Sequence, residues 1–289
     1  MPVFSPATQE WFDGAFPAPT AAQVGAWRAI AAGEHTLWEI ESVQRISPRR
    51  EAGGVLGSVP IPRHEQGESM GVTRMQVTPM RPKVASTLRD AGPADVFADE
   101  LTVSGVRYTG GASGAGGGDV IAVIASEFSG ARIVGELSRT TFDNCVFDSS
   151  DLSNLRADET SFLESAIVGS RLTGLSLTDG VLRDVAVDDT RADLVSFRGS
   201  KFQKVVFTGC NLAGADFQRV RFRSARFEGC DLTGAQFSQA SIEHNTTFVD
   251  CRLVDVRGVR ELKGAQVRGD DLLGLAGSLA REVGIHVDW

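Results

Sequence analysis

Large apolar side chains recur at every fifth residue from 137 to 242. The series runs Leu137, Phe142, Phe147, Leu152, Ala157, Phe162, Ile167, Leu172, Leu177, Leu182, Val187, Ala192, Phe197, Phe202, Phe207, Leu212, Phe217, Phe222, Phe227, Leu232, Phe237 and Ile242, with only two Ala among the large residues. A period of five is neither the roughly 3.6 of an amphipathic helix nor the 2 of a half-buried strand, so an internal repeat sets the pattern. Two residues before these positions stands mostly a small residue: Thr140, Cys145, Ser150, Thr160, Ser165, Ser170, Thr190, Ser200, Cys210, Ala215, Ala225, Cys230, Ala235 and Ala240. Leu155, Leu175, Gly180, Val185, Val195, Val205 and Val220 depart from that rule. A five-residue unit with two inward positions, one large and one small, and three outward ones makes one flat side of a coil. Stacked coils then bury a continuous ladder, whose core is expected at Phe142, Phe147, Leu152, Phe162, Phe197, Phe202, Phe207, Leu212, Phe217, Phe222, Phe227, Leu232 and Phe237.

"CNLAGADFQRVRF" from 210 and "CDLTGAQF" from 230 resemble the pentapeptide repeat family, with its Ala-(Asp/Asn)-Leu-X-X consensus. The resemblance implies an all-β solenoid: a right-handed quadrilateral β-helix with four pentapeptides, about twenty residues, per coil. Coils stacked at about 4.8 Å give the six or so coils between 137 and 253 a length on the order of 30 Å. Phe248 and Leu253 resume the spacing one residue late, so "EHNTT" at 243–247 is expected to form a bulge or short loop. Upstream, Phe128 and Ile133 are five apart but Ile133 and Leu137 only four. The segment 95–136 is therefore expected to hold one or two degenerate coils interrupted by a loop.

The repeat domain is bounded at 95–268, regular from 137 to 253, and followed at 269–289 by a capping or dimerisation helix and tail. In "GDDLLGLAGSLAREVGI", Leu272, Leu275, Ala276, Leu279 and Val283 fall on one helical face, Asp270 or Asp271 can cap the start, and Gly284 can end it. This tail resembles the C-terminal helix that carries the dimer contact in the quinolone-resistance branch of the family. Leu272, Leu275, Leu279 and Val283 are thus candidates both for a cap on the monomer and for a homodimer contact.

The N-terminus reads differently, as a short helical or disordered segment. Phe4, Trp11, Phe12, Phe16, Pro19, Thr20, Gln23, Trp27, Ile30 and Gly33 resemble the Q-motif region of large helicase-related proteins of superfamily 2. In that family a strand leads next into a phosphate loop ending Gly-Lys-Ser/Thr, whereas this chain continues "WEIESVQRISPRREAGG". Residues 1–45 are read as a Q-motif-like remnant and 46–94, Pro- and Gly-rich from 46 to 69, as a disordered linker. The change in composition raises the expectation of a start at Met70, Met75 or Met80.

Composition narrows the chemistry. With 289 residues, 42% hydrophobic and a formal net charge of -8, the chain has the make-up of a globular protein. The apolar run "VIAVIA" at 120–125 is far too short to span a bilayer, and the first residues lack a signal-peptide pattern, so a cytoplasmic location without membrane association is expected. The acidic balance disfavours direct nucleic-acid binding. Cys145, Cys210, Cys230 and Cys251 all fall at the small inward position and read as core; the four His show no ligand spacing. "GGASGAGGGD" at 110–119 precedes a strand-like run, the reverse of a dinucleotide fingerprint, and reads as a flexible loop. No catalytic residue, metal site or cofactor is expected, and the protein is read as a non-enzyme.

Charge divides the repeats. Residues 137–193 carry 11 Asp plus Glu against 5 Arg; residues 194–253 carry 5 acids against 8 Lys plus Arg. The candidate partner-binding acidic face is Asp143, Asp148, Asp151, Asp158, Asp179, Asp184, Asp188, Asp189 and Asp193, and the basic half centres on Arg219, Arg221, Arg223 and Arg226. The leading expectation is a rigid rod binding an unidentified protein partner. The family resemblance implies an alternative, a DNA mimic directed at DNA gyrase, and the N-terminal resemblance a third, a helicase-derived nucleotide or nucleic-acid module.

Overall fold

The computed structural model describes residues 77–286, apart from residue 111 and residues 114–117. The Q-motif-like segment 1–45 and the first part of the linker, 46–76, lie outside the described residues. The described chain winds into a β-solenoid of about nine turns with one C-terminal helix.

Four parallel ladders define four sides. On side 1, Val103, Val123, Phe142, Phe162, Leu182, Phe202 and Phe222 pair in sequence; on side 2, Tyr108, Phe128, Phe147, Ile167, Val187, Phe207, Phe227, Phe248 and Val267 do so. Side 3 is a column of short bridges from Arg132 through Asp151, Arg171, Arg191, Asn211 and Asp231 to Arg252. Side 4 links Arg156, Ser176, Ser196, Asp216, Gln236 and Arg257 in the same way. Between Val103 and Phe248 the pairing step is twenty residues except at the two irregularities in the sequence; at the ends it shortens, to seventeen for Arg89–Val106 and nineteen for Phe248–Val267. Phe142 pairs with Val123 across the short Ile133–Leu137 interval, and Phe227 with Phe248 across the insertion at 243–247.

Every large residue of the expected core is at most 2% exposed. Identical side chains one coil apart meet face to face: Phe207–Phe227 and Phe227–Phe248 have ring centroids 5.1 and 4.9 Å apart at 2° and 5°, and Tyr108–Phe128–Phe147 continue side 2 at 4.6 and 4.5 Å. Such contacts add about 0.5–1.5 kcal/mol each beyond burial. The small inward positions do more than leave room. Ser150, Ser170 and Thr190 form one column at a corner, and each hydroxyl accepts the N–H of the residue one coil earlier: Ser150 Oγ from Ala131 at 3.2 Å, Ser170 Oγ from Ser150 at 3.0 Å and Thr190 Oγ1 from Ser170 at 3.3 Å. Cys210, Cys230 and Cys251 continue that column, their thiols donating to Val187, Phe207 and Phe227 carbonyls.

The third regular position is the turn residue two after each large one. Asn144, Ser149, Asn154, Glu159, Glu164, Asp179, Asp184 and Asp189 all have φ between 44 and 58°, and Gly occupies the same place at 169, 174, 199, 209, 214, 229 and 234. A left-handed residue bends the chain sharply enough to begin the next side, which is why Gly, Asn and Asp crowd there; Ser224 is an exception, at a corner where the register shifts.

Ordered structure begins before residue 95, so the linker boundary is corrected. Arg89–Asp90 pairs with Val106–Arg107, and Pro93–Asp95 forms a 3-10 turn. Phe97 follows, 3% exposed, its ring 5.8 Å from Tyr108 and 6.1 Å from Phe142, closing the open end of the core. The glycine-rich stretch is also corrected. Its ends are strands: Ala112–Ser113 pairs with Arg132–Ile133 and Gly118–Asp119 with Leu137–Ser138. Gly118 suits its crowded place, since a Cβ there would lie 2.6 Å from Ile121 Cδ1 and 3.1 Å from the carbonyl carbon of Ala98.

The other end is closed by α1 (Leu272–Glu282), with Asp271 at its start making no side-chain capping bond and Gly284 at φ 80° just past its end. The buried face differs from the expected one. Leu275 and Ser278 are 3% and 2% exposed, whereas Leu272, Leu279 and Val283 are 51%, 40% and 62% exposed. Gly274 explains the rotation: the helix crosses so close that a Cβ at 274 would stand 3.3 Å from the Leu253 backbone, so the contact line follows Asp271, Gly274 and Ser278.

Phe227→Ala should lower stability by about 3–5 kcal/mol, because it removes a ring from the middle of a stack. Cys230→Ser should cost less than about 1 kcal/mol, since serine already fills that column at 150 and 170. Urea unfolding of both variants checks this, and equal losses would contradict it.

Candidate interaction surfaces

The acidic candidates do not share one face. Asp143 lies on side 1, Asp158 on side 4, Asp179 at the corner leading into side 1 and Asp184 at the corner between sides 1 and 2. The structure brings together the other five. Asp148 and Asp188 stand outward on side 2, Asp189 at the next corner, and Asp151 and Asp193 on side 3. The reason is arithmetic: the outward positions of a four-sided coil repeat every twenty residues, so acids five apart point in different directions.

This five-carboxylate ridge is interleaved with cations. Ser149, Asp151, Gly169, Arg171, Asp189 and Arg191 line a shallow cavity there, and Arg171 bridges to both Asp151 and Arg191 through the backbone ladder. Burial pushes the Asp151 carboxyl up, but hydrogen bonding from Ser153 and the charges of Arg132 and Arg171 outweigh it, leaving its pKa lowered. Asp193 accepts the Thr173 hydroxyl at 2.9 Å.

Asp184 is not a surface carboxylate. It is 3% exposed, 3.5 Å from Lys204 Nζ, and accepts the Met80 N–H at 3.4 Å. Met80 belongs to a strap the sequence did not reveal. Lys83 N–H donates to Asn144 Oδ1 at 2.8 Å, Ala85 N–H to the Ala125 carbonyl at 3.2 Å and Arg89 N–H to the Gly105 carbonyl at 3.0 Å. Residues 80–89 thus run along the solenoid axis, over the corner between sides 1 and 2, from the coil of Asp184 to that of Gly105. Prolines at 79 and 82 suit a segment that donates few ladder bonds.

The strap is anchored by an ion pair between the exposed Arg89 and the buried Asp95. Arg89 grips Asp95 through two bonds of 2.6 Å, and Asp95 Oδ2 also accepts the Gly92 N–H at 2.8 Å. The guanidinium hydrogen bond, aided by Gly92 and opposed by burial, holds the Asp95 carboxyl down at about 2. No periodicity announces Arg89 or Asp95; they sit outside the five-residue register.

Among the described residues no group of three or more His, Cys, Asp or Glu is placed to hold a metal. The four thiols are buried, and burial pushes Cys145 up to about 12. No helix among the described residues is long and apolar enough to cross a membrane.

Residues 193–229 and 217–256 match the family described as "Pentapeptide repeats (8 copies)". No curated protein matches the sequence. Among solved structures, a trypsin-treated form of QnrB1, a plasmid-mediated fluoroquinolone resistance protein, is 20% identical over 67% of this chain and 98% of its own, with a TM-score of 0.33. HetL, a pentapeptide repeat protein involved in heterocyst differentiation regulation from the cyanobacterium Nostoc sp. strain PCC 7120, is 14% identical over 60% of this chain and 89% of its own, at 0.22. Rfr23, a pentapeptide repeat protein from the cyanobacterium Cyanothece 51142, is 19% identical over 33% and 58%, at 0.14.

Asp95 has a folded pKa below its ordinary value, so its contribution is complete above about pH 4 and is lost as pH falls toward 2. The melting temperature of the wild type should therefore fall more steeply between pH 5 and 2 than that of Asp95→Asn, which starts lower and lacks this titration. Parallel profiles would show that the pair does not hold the end cap.

Proposed function

We propose that this chain, a pentapeptide repeat protein, acts as a non-catalytic, rigid rod that binds a protein partner. The observation that supports this most is the unbroken ladder from Arg89 to Val267, which fixes outward side chains in rows about 4.8 Å apart on four flat sides. Such a surface gives a partner a preorganised charge pattern and loses little entropy on binding. Repeat solenoids are used in this way because their long axes offer extended contact areas.

A second reading is favoured by the ridge of Asp148, Asp151, Asp188, Asp189 and Asp193: imitation of a DNA duplex, directed at DNA gyrase. Rows of carboxylates on a rigid rod can occupy a cationic DNA-binding surface. Arg171 and Arg191 within that ridge weigh against it. The helicase-derived reading rests on residues 4–37, outside the described residues. A homodimer through the exposed Leu272, Leu273, Leu279 and Val283 of α1 would lengthen the rod under either of the first two readings.

Gyrase supercoiling in the presence of the full chain separates them. The first reading expects supercoiling unchanged at two salt concentrations. Salt-sensitive inhibition that disappears in Asp148→Lys/Asp151→Lys would replace it with the second. Sedimentation of the same samples tests the dimer, whose mass should halve in Leu273→Glu; a monomer in both excludes it.

A further inference from the structure

The acidic rod carries one basic stripe. The strands Val181–Asp188, Lys201–Thr208 and Arg221–Glu228 present Arg183, Lys201, Lys204, Arg221 and Arg223 outward on side 1 and its edge, with Arg219 at the corner leading in. All six are exposed. Only two have acidic partners among the described residues: Arg223 meets Glu243 at 3.0 Å and Lys204 meets the buried Asp184 at 3.5 Å.

The strap extends this stripe. Asn144, Glu164 and Asp184 form the corner column between sides 1 and 2, which would otherwise be acidic. By running from Asp184 to Asn144, the strap covers Asp184 and sets the exposed Arg81 and Lys83 over that column. Cations then follow one another from Arg223 through Lys204, Arg183 and Arg81 to Lys83, across five coil levels or roughly 20 Å.

The stripe is narrow. Asp143 ends its side 1 row and Glu164 lies in the corner column beneath the strap; Glu159 and Asp179 flank it at the corner leading into side 1, and Asp188 and Asp189 flank it across side 2. A nucleic-acid duplex, wider than one side, would set phosphates over those carboxylates, whereas an extended polypeptide fits between them. Guanidinium groups pair with carboxylates in two-point geometry. An extended chain offers same-side carboxylates every 7 Å or so, comparable with the roughly 5 Å step between cations at the ends of flexible side chains.

We infer that this stripe, completed by Arg81 and Lys83 of the strap, docks an extended acidic polypeptide segment of the partner. The choice of a polypeptide rests on the protein-binding reading; the basic stripe does not.

Fluorescence anisotropy of a labelled peptide of about eight alternating Glu and Ser residues, titrated with the full chain, tests it. The expected result is saturable binding that weakens about tenfold between about 50 and 200 mM salt. Arg221→Glu/Arg223→Glu should abolish it, and Arg81→Glu/Lys83→Glu should weaken it severalfold with an unchanged melting curve. Asp148→Lys/Asp151→Lys, on sides 2 and 3, should leave it no weaker. Absence of binding at low salt, or binding indifferent to both Arg and Lys reversals, overturns the stripe. An oligothymidylate of equal length that binds more tightly and displaces the peptide overturns the polypeptide and leaves a nucleic-acid strand instead. A partner whose binding survives Arg221→Glu/Arg223→Glu overturns the stripe while the protein-binding reading stands.

Discussion

Everything in this molecule depends on stacking like upon like. Each coil offers its neighbour the same large side chain, the same small hydroxyl or thiol and the same row of backbone groups, one coil spacing away. Burial, ring stacking and hydrogen bonding are then satisfied together, and each coil needs only the coils on either side. The same arrangement creates the fold's two liabilities. Both ends expose unpaired backbone and an open core, and every corner demands a left-handed residue. Phe97 with the Arg89–Asp95 pair answers the first liability at one end, and α1 with Leu275 answers it at the other. Gly, Asn and Asp at the turn position answer the second.

How much of this the sequence disclosed follows from that repetition. A column of Phe or Leu at a strict interval is visible because packing repeats it, so the inward positions from Phe142 to Phe237 could be named one by one. The one-residue slips near Ile133 and Asn245 were visible for the same reason, as departures from a strict interval. The turn residues are equally periodic but do not stand out in hydropathy, because Gly, Asn, Asp, Glu and Lys sit beside other outward positions that are polar as well. What does not repeat could not be found that way. The strap, the Phe97 plug and the Arg89–Asp95 pair each occur once, at or ahead of the point where the five-residue spacing becomes regular. On α1 the apolar periodicity pointed to Leu272, Leu279 and Val283, but close approach at Gly274 chose Ser278 instead.

Charge shows the same division between sequence and space. A count along the chain separates an acidic half from a basic half, yet a four-sided coil distributes neighbouring acids around the rod. The spatial pattern is finer: a mixed ridge between sides 2 and 3, and a cationic stripe along side 1 that the strap extends by covering Asp184. Surfaces of this kind act through arrays of modest contacts on a stiff support, so rigidity is part of the recognition.

The claim on which the rest stands is that the coils from Val103 to Val256 form one continuous ladder. Native-state amide hydrogen exchange measures it most directly. The account predicts that backbone amides on all four sides, the short coils near 123–137 included, exchange far more slowly than in a free chain, with the strap amides of Met80 and Lys83 opening at lower cost. Exchange of the 102–136 coils at free-chain rates, while those from 181 to 237 remain protected, would contradict a continuous ladder.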